Sequence, residues 1–339
     1  MNDTIMPFVA IALGSIFLGT FGLGLKHLAP LRWEAWWLIY SIVGMLLFPW
    51  VWAALAVPHL LTIIARSADT GAVFWGALFG FLWGIGGITF GMSVESLGIA
   101  LTYGIVMGLS TAVGSLIPLM RQGGFSSSAA APLVVVAVVV LLGGVAVISF
   151  AGVRRERRAA AEAPANKKQL HRGLVIVIVS GVMSSLLAVG FDFAAPMTGT
   201  ARSLGIETAQ ISLARWAVVC SGAFLMNAAY CLTLLVRNGS WATFAAPGSG
   251  KAYLWATATG AFWFTSFGIS GYGMQMMGRL GVSIGWSMLL GLALITSTLW
   301  SVATGEWKNA SGPFRIMLAG LVIVILAICI LGYSRSLAS

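Results

Sequence analysis

Ten apolar runs, each long enough to cross a bilayer as a helix, dominate this sequence. A hydrocarbon core about 30 Å thick takes about 20 helical residues at a rise of about 1.5 Å each. Such runs lie at 5–25, 33–57, 71–92, 97–119, 132–153, 173–197, 209–236, 252–277, 281–303 and 313–333. Pro7, Pro58, Pro118, Pro132, Pro196, Pro247 and Pro313 sit near run ends, where a missing amide is tolerated. Of 339 residues only 8% are charged, against about a quarter in soluble domains. The fold class this predicts is an all-α polytopic membrane protein with ten transmembrane helices. A soluble enzyme, a disordered tail and a nucleic-acid binder are excluded. The net charge of +10 sits in the gaps between runs, where basic residues set topology against the lipid bilayer.

Met1-Asn2-Asp3-Thr4 has no basic flank, so the first run reads as a retained span, not a signal peptide. Cys220, Cys231 and Cys329 lie inside apolar runs without metal-ligand spacing and read as small hydrophobes. No metal or cofactor is expected. The longest gap, 154–172, carries seven basic residues and splits the chain into 1–153, a basic linker, and 173–339. Connections after odd-numbered runs hold 13 basic residues, counting Arg315 at the start of the tenth run; those after even-numbered runs, with the C-terminal tail, hold 5. That bias puts the odd connections and the linker in the cytoplasm and both termini outside.

The halves resemble each other. Phe90-Gly91-Met92 before Leu97-Gly98 is matched by Tyr272-Gly273-Met274 before Leu280-Gly281, and Gly86 by Gly268. The offset, 273 − 91 = 182 residues with one residue inserted in the second turn, maps runs 3–4 onto runs 8–9. Each half then has five helices, and an odd number inverts the second copy in the membrane. Inverted repeats are a common plan of alternating-access carriers, with substrate near the midplane.

Ionisable groups inside the hydrocarbon cost several kcal/mol unless paired or hydrated. Two stand out. Asp192 lies about six residues before the end of run 6, and Arg215 about six after the start of run 7. Equal depth on neighbouring antiparallel helices suits a salt bridge. In a carrier Asp192 is the candidate proton-coupling group with Arg215 as its partner; a fixed structural pair is the alternative. Glu34 and Glu306 sit beside Trp33 and Trp307 and read as interfacial anchors. Glu95 lies at the turn between runs 3 and 4 and is expected to face water.

The other in-span polar residues are neutral. Thr89, Asn227, Ser266, Tyr272 and Gln275 are interspersed with Trp83, Phe90, Trp263 and Trp286. Hydroxyls and amides beside aromatic faces suit a small, neutral, polyhydroxylated ligand, since the rings cover its apolar face and the polar groups orient it. Hydroxyls bonded to their own helix, and lipid-facing indoles, are the competing reading. There is no P-loop, no His-Glu-x-x-His and no catalytic constellation, so neither an enzyme nor an ATP-driven pump is expected. An ion gradient remains as the energy source.

Trp83-Gly84-Ile85-Gly86, Phe90-Gly91, Leu97-Gly98, Trp33-Glu34, Trp263 and Glu306-Trp307-Lys308-Asn309-Ala310 together resemble the bacterial L-rhamnose/proton symporter family of the drug/metabolite transporter superfamily. The resemblance runs along nearly the whole chain. It implies two inverted five-helix repeats in the inner membrane, a small neutral sugar (L-rhamnose or a relative) and protons as partners, and import by alternating access. Monomer and homodimer both stay open. Export of a metabolite or lipophilic cation, an activity of the wider superfamily, is the alternative.

Overall fold

The computed structural model describes residues 2–97, 99–123, 130–159, 167–206, 209–308 and 310–337. Among them there is no strand. Ten long helical segments follow one another: α1 Asn2–Gly24, α2 Trp33–Ala56, α3 Ala72–Leu97, α4 Ile99–Arg121, α5 Ala131–Ala159, α6 Lys167–Phe193, α7 Ile211–Asn238, α8 Gly250–Met276, α9 Gly281–Ala303 and α10 Ser311–Ser336. Nine helical segments among the described residues are long and apolar enough to cross a membrane. The exception is α8, whose glycines, Thr257, Thr259, Thr265, Ser266, Ser270 and Gln275 dilute its apolar content. Leu55, Val139, Leu225, Leu254 and Leu299 are among many large apolar side chains left exposed. Water would penalise that surface; lipid tails do not. The protein is a multi-pass membrane protein.

Two sequence boundaries move. The basic linker expected over 154–172 is shorter, because α5 continues to Ala159 and α6 starts at Lys167. Arg154, within this extension, lies over the Phe150 ring, 4.5 Å from its centroid. Run 6, expected to reach 197, stops at Phe193, and a separate short helix, Pro196–Ser203, follows. A second short helix, Leu60–Ser67, packs on it, with Ser67 Oγ donating to Thr200 Oγ1 at 3.0 Å. Helix α2 is interrupted by a π-turn at Ile42–Leu47, where the Phe48 amide reaches back to the Val43 carbonyl. Pro49 follows at once. A proline has no amide to give and crowds the carbonyl four residues back, and a widened turn relieves that crowding.

The chain divides into two compact units, residues 1–84 with 189–276, and 85–188 with 277–339. The first is built on α1, α2, the start of α3, the end of α6, α7 and α8. Glycines let its backbones meet. A Cβ on Gly44 would sit 2.7 Å from the Gly260 carbonyl oxygen, and one on Gly260 2.7 Å from that of Tyr40. At the crossing of α3 and α7 the approach is closer still. A Cβ on Gly80 would strike the Val219 carbonyl oxygen, and one on Gly222 that of Ala77. Close backbone approach of this kind replaces hydrophobic drive in lipid.

The second unit is built on α4, α5, α9 and α10, with the end of α3 and most of α6. Leu141, Val145, Leu294, Val324 and Ala327 form its apolar centre. Gly144 and Gly320 allow α5 and α10 to touch. Glu306 was expected to anchor at an interface; it pairs with Arg155 at 3.0 Å, and the Arg155 guanidinium lies over the Trp307 ring. Asn309 and the side chain of Glu95 lie outside the described residues.

Candidate functional site

The first unit gathers two adjoining sets of residues. The aromatic set joins α2, α3, α7 and α8. Trp83 lies 5.5 Å from Trp263, ring centre to ring centre. Trp263 meets Phe267 at 4.6 Å and Tyr40 at 6.0 Å. Trp37 stacks at 5.2 Å on Trp33 and tilts against Tyr40 at 4.8 Å. Its indole Nε1 donates to Asn227 Oδ1 at 2.8 Å, while Asn227 Nδ2 donates to the Ala223 carbonyl at 2.9 Å. Asn227 is thus held rigidly, and its second amide hydrogen is left for another acceptor. Five buried polar atoms in this unit, Trp36 Nε1, Ser212 Oγ, Trp216 Nε1, Ser266 Oγ and Ser270 Oγ, have no protein partner among the described residues. Such atoms cost about 1–3 kcal/mol each unless a ligand or water meets them.

The charged set starts from Pro196. Having no amide, it cannot bond the Asp192 carbonyl, so Ala195 N–H turns to that carbonyl instead. The Phe191 carbonyl is then left without its usual helical donor. Arg215 supplies one: Nε donates to it at 3.1 Å and Nη2 at 2.5 Å. The guanidinium also lies 3.8 Å from the Phe191 ring centre. A cation there meets both the negative end of α6 and an aromatic face. Arg215 Nη1 donates to Gln275 Oε1 at 2.6 Å, and Gln275 Nε2 donates to Thr198 Oγ1 at 3.3 Å. Asp192, 1% exposed, directly follows Phe191, whose carbonyl and ring hold Arg215, itself 4% exposed. The sequence placed Asp192 six residues inside its helix; here it is next to last in α6, and the short helix Pro196–Ser203 follows directly.

Of the residues singled out from sequence, Trp83, Asn227, Trp263, Ser266, Tyr272, Gln275, Asp192 and Arg215 belong to the first unit. Thr89, Phe90 and Trp286 belong to the second. There Thr89 Oγ1 donates to its own helix at the Ile85 carbonyl, and Phe90 meets Tyr103 edge-on. Trp286 is 2% exposed and donates from Nε1 to the Ser110 carbonyl at 3.1 Å, in room left by Gly114. Sequence reasoning missed Trp37 and Tyr40. The stripe Trp33, Trp36, Trp37 and Tyr40, at three- and four-residue spacing, was the available signal. It also took Glu34 for an interfacial anchor. Glu34 is 5% exposed, and its Oε1 accepts from Ser240 Oγ at 2.5 Å and Asn238 Nδ2 at 3.2 Å. That joins α2 to the end of α7.

A multi-pass helical protein with a buried carboxylate and a buried guanidinium beside neutral polar and aromatic side chains is built as a membrane carrier. The family model described as L-rhamnose-proton symport protein matches residues 1–337, and the chain belongs to that family, one of transporters rather than enzymes. It is 28% identical over 340 residues to an L-rhamnose-proton symporter of Cronobacter sakazakii, and 25% identical to those of Yersinia pestis and Yersinia pseudotuberculosis. Each alignment covers 98% of both chains. A crystal structure 17% identical in sequence superposes with a TM-score of 0.55, covering 97% of this chain and 96% of the other, which speaks for the fold alone.

Proposed function

We propose that this chain imports L-rhamnose, or a closely related neutral sugar, together with protons across the bacterial inner membrane. The observation that carries this is the family match along residues 1–337. A proton falling through 100 mV releases about 2.3 kcal/mol, enough to hold a neutral solute at a roughly 50-fold gradient. The exporter reading draws no support from the relatives named above, each of which is a symporter.

The reading takes α8 as a tenth span. Its polar content is then the reason it is there, since helices that line a chamber need not be apolar throughout. The two five-helix repeats draw support from element bounds. Adding 182 to Ile99–Arg121 gives 281–303, the bounds of α9, and adding it to Trp33–Ala56 gives 215–238, which ends where α7 ends. The Gly80/Gly222 crossing of α3 with α7 has its counterpart in the Gly260/Gly44 crossing of α8 with α2, the partners a duplication requires. Both termini are placed outside by the basic bias of the loops.

In the first unit, sugar recognition falls to Trp83 and Trp263 as ring faces and to Asn227, Ser266 and Tyr272 as polar contacts, with Trp37 holding Asn227. Thr89 and Phe90 are the candidates of the second unit; Trp286 serves packing there. Asp192 carries the proton. Because the Phe191 carbonyl and ring also hold Arg215, protonating Asp192 leaves the guanidinium still compensated. The test is uptake of labelled L-rhamnose into proteoliposomes with and without an imposed inward proton gradient. Gradient-driven accumulation is expected. Uptake indifferent to the gradient rejects coupling, and no uptake of L-rhamnose rejects the substrate.

A further inference from the structure

Both polar ends of Gln275 are engaged inside the protein. Its Oε1 accepts from Arg215 Nη1 at 2.6 Å, and its Nε2 donates to Thr198 Oγ1 at 3.3 Å. Sequence reasoning gave Gln275 to the sugar; like Asn227 it keeps one amide hydrogen for another acceptor, but its carbonyl is committed to the Arg215 cation. It stands instead between two other things. On its own helix, Tyr272 lies one turn back and Ser266 and Trp263 lie two and three turns back, all on the segment that carries the recognition residues. Across from it lies the guanidinium held on the Phe191 carbonyl, one residue along the chain from Asp192.

We propose that Gln275 is a positioning residue that ties the sugar-reading helix α8 to the buried Asp192–Arg215 pair, so that movement of α8 on binding is felt at the proton site and the reverse. A neutral amide suits the task. It accepts from Arg215 without neutralising it, so the cation's charge stays available to Asp192. It gives way to motion at the cost of one hydrogen bond, where a carboxylate would clamp the cation. Thr198, on the short helix Pro196–Ser203, fixes the other end of the amide and with it the direction in which Oε1 points. The charged groups on the packed elements are few. Asp192 is on α6, whose Lys167, Lys168 and Arg172 lie at its other end; Arg202 is in the last turn of the short helix; Arg237 and Lys251 lie more than 20 residues away along α7 and α8, over 30 Å at a rise of about 1.5 Å. Glu207 lies outside the described residues.

The inference rests on the proton-coupled sugar reading above, and the experiment separates the two. Full-length protein in liposomes is assayed for exchange of labelled L-rhamnose across the membrane at equal pH, and for accumulation driven by an imposed proton gradient. Exchange needs recognition alone; accumulation needs recognition and coupling. For Gln275→Ala, accumulation is expected to fall at least tenfold more than exchange. Thr198→Val, close in shape, is expected to show the same split more weakly, and it serves if Gln275→Ala does not fold. Gln275→Glu keeps an acceptor for Arg215 but adds a competing carboxylate, and is expected to uncouple as well. Parallel loss of exchange and accumulation in Gln275→Ala and Thr198→Val would make Gln275 a sugar contact and overturn the relay, as would two unaffected activities. No exchange by the unmutated protein would overturn the sugar reading itself, and the relay with it.

Discussion

Arg215 is held by a carbonyl, a ring, an amide and a nearby carboxylate, and each partner asks something different of the guanidinium. Its planar fork serves the Phe191 carbonyl through two nitrogens while a third reaches Gln275. Lysine, a point charge, cannot do all three, so Arg215→Lys should lose most accumulation. Arg215→Leu leaves Asp192 buried beside an unmet carbonyl. It should destabilise the protein by about 3–5 kcal/mol, read as a fall in melting temperature in detergent. Restoring an amide with Pro196→Ala gives α6 a way to continue and frees Ala195 N–H to compete with Arg215 for the Phe191 carbonyl; reduced coupling with little loss of stability is the expected result in the liposome assay. At the other end of α7, Glu34→Ala strands Ser240 Oγ and Asn238 Nδ2 and should cost about 1–3 kcal/mol, measured by thermal unfolding against Glu34→Gln. Asp192 and Arg215 were legible in the sequence as buried ionisable groups because such groups in apolar runs are rare. The partners of Arg215 were not, since the Phe191 carbonyl belongs to every residue's backbone and only the break at Pro196 exposes it. Glu34 was misread for a related reason: a Trp-Glu pair at a span end looks the same whether the acid faces water or a neighbouring helix.

At the scale of elements, glycine position sorts into two kinds. Gly80 and Gly222 face carbonyls that a Cβ would strike far inside van der Waals contact. Gly80→Val or Gly222→Val must push α3 and α7 apart and should sharply lower folded yield, measured by fluorescence-detected size exclusion. Gly87, where an added methyl group would meet nothing within 4 Å, should accept alanine without change in stability. Approximate bounds were readable from the apolar runs, since the bilayer imposes one length on each; of the ten runs, nine correspond to helical segments long and apolar enough to cross a membrane among the described residues. Ends were less so. Helix α5 continues into the basic linker as far as Ala159, and α6 starts within it at Lys167, because arginine and lysine are good helix formers, whereas α6 stops early because one proline follows.

For the whole molecule, ligand and topology are the measurable properties. A sugar that binds only the folded protein at 100 times its dissociation constant should add about 2.7 kcal/mol of stability, so L-rhamnose should raise the melting temperature while charged amino acids and lipophilic cations leave it unchanged. A reporter active only outside the cytoplasm should be silent when inserted in 160–166 and active at the C-terminus. Family and class were within reach of the sequence, because membrane composition and a few Trp-Gly and Glu-Trp motifs are distinctive. Which aromatic rings meet which amides was not, since helix rotation about its own axis decides it.

The widened turn at Ile42–Leu47 has a consequence for α2 that reaches past Pro49. One surplus residue in the turn rotates everything downstream by about 100° relative to an unbroken helix. Trp50, which donates to Ser221, and Trp52, which fills the space beside Gly268, therefore owe their bearings to that surplus. Removing a single residue there would swing both rings off their targets, and the shortened helix would also have to absorb a proline its regular geometry rejects.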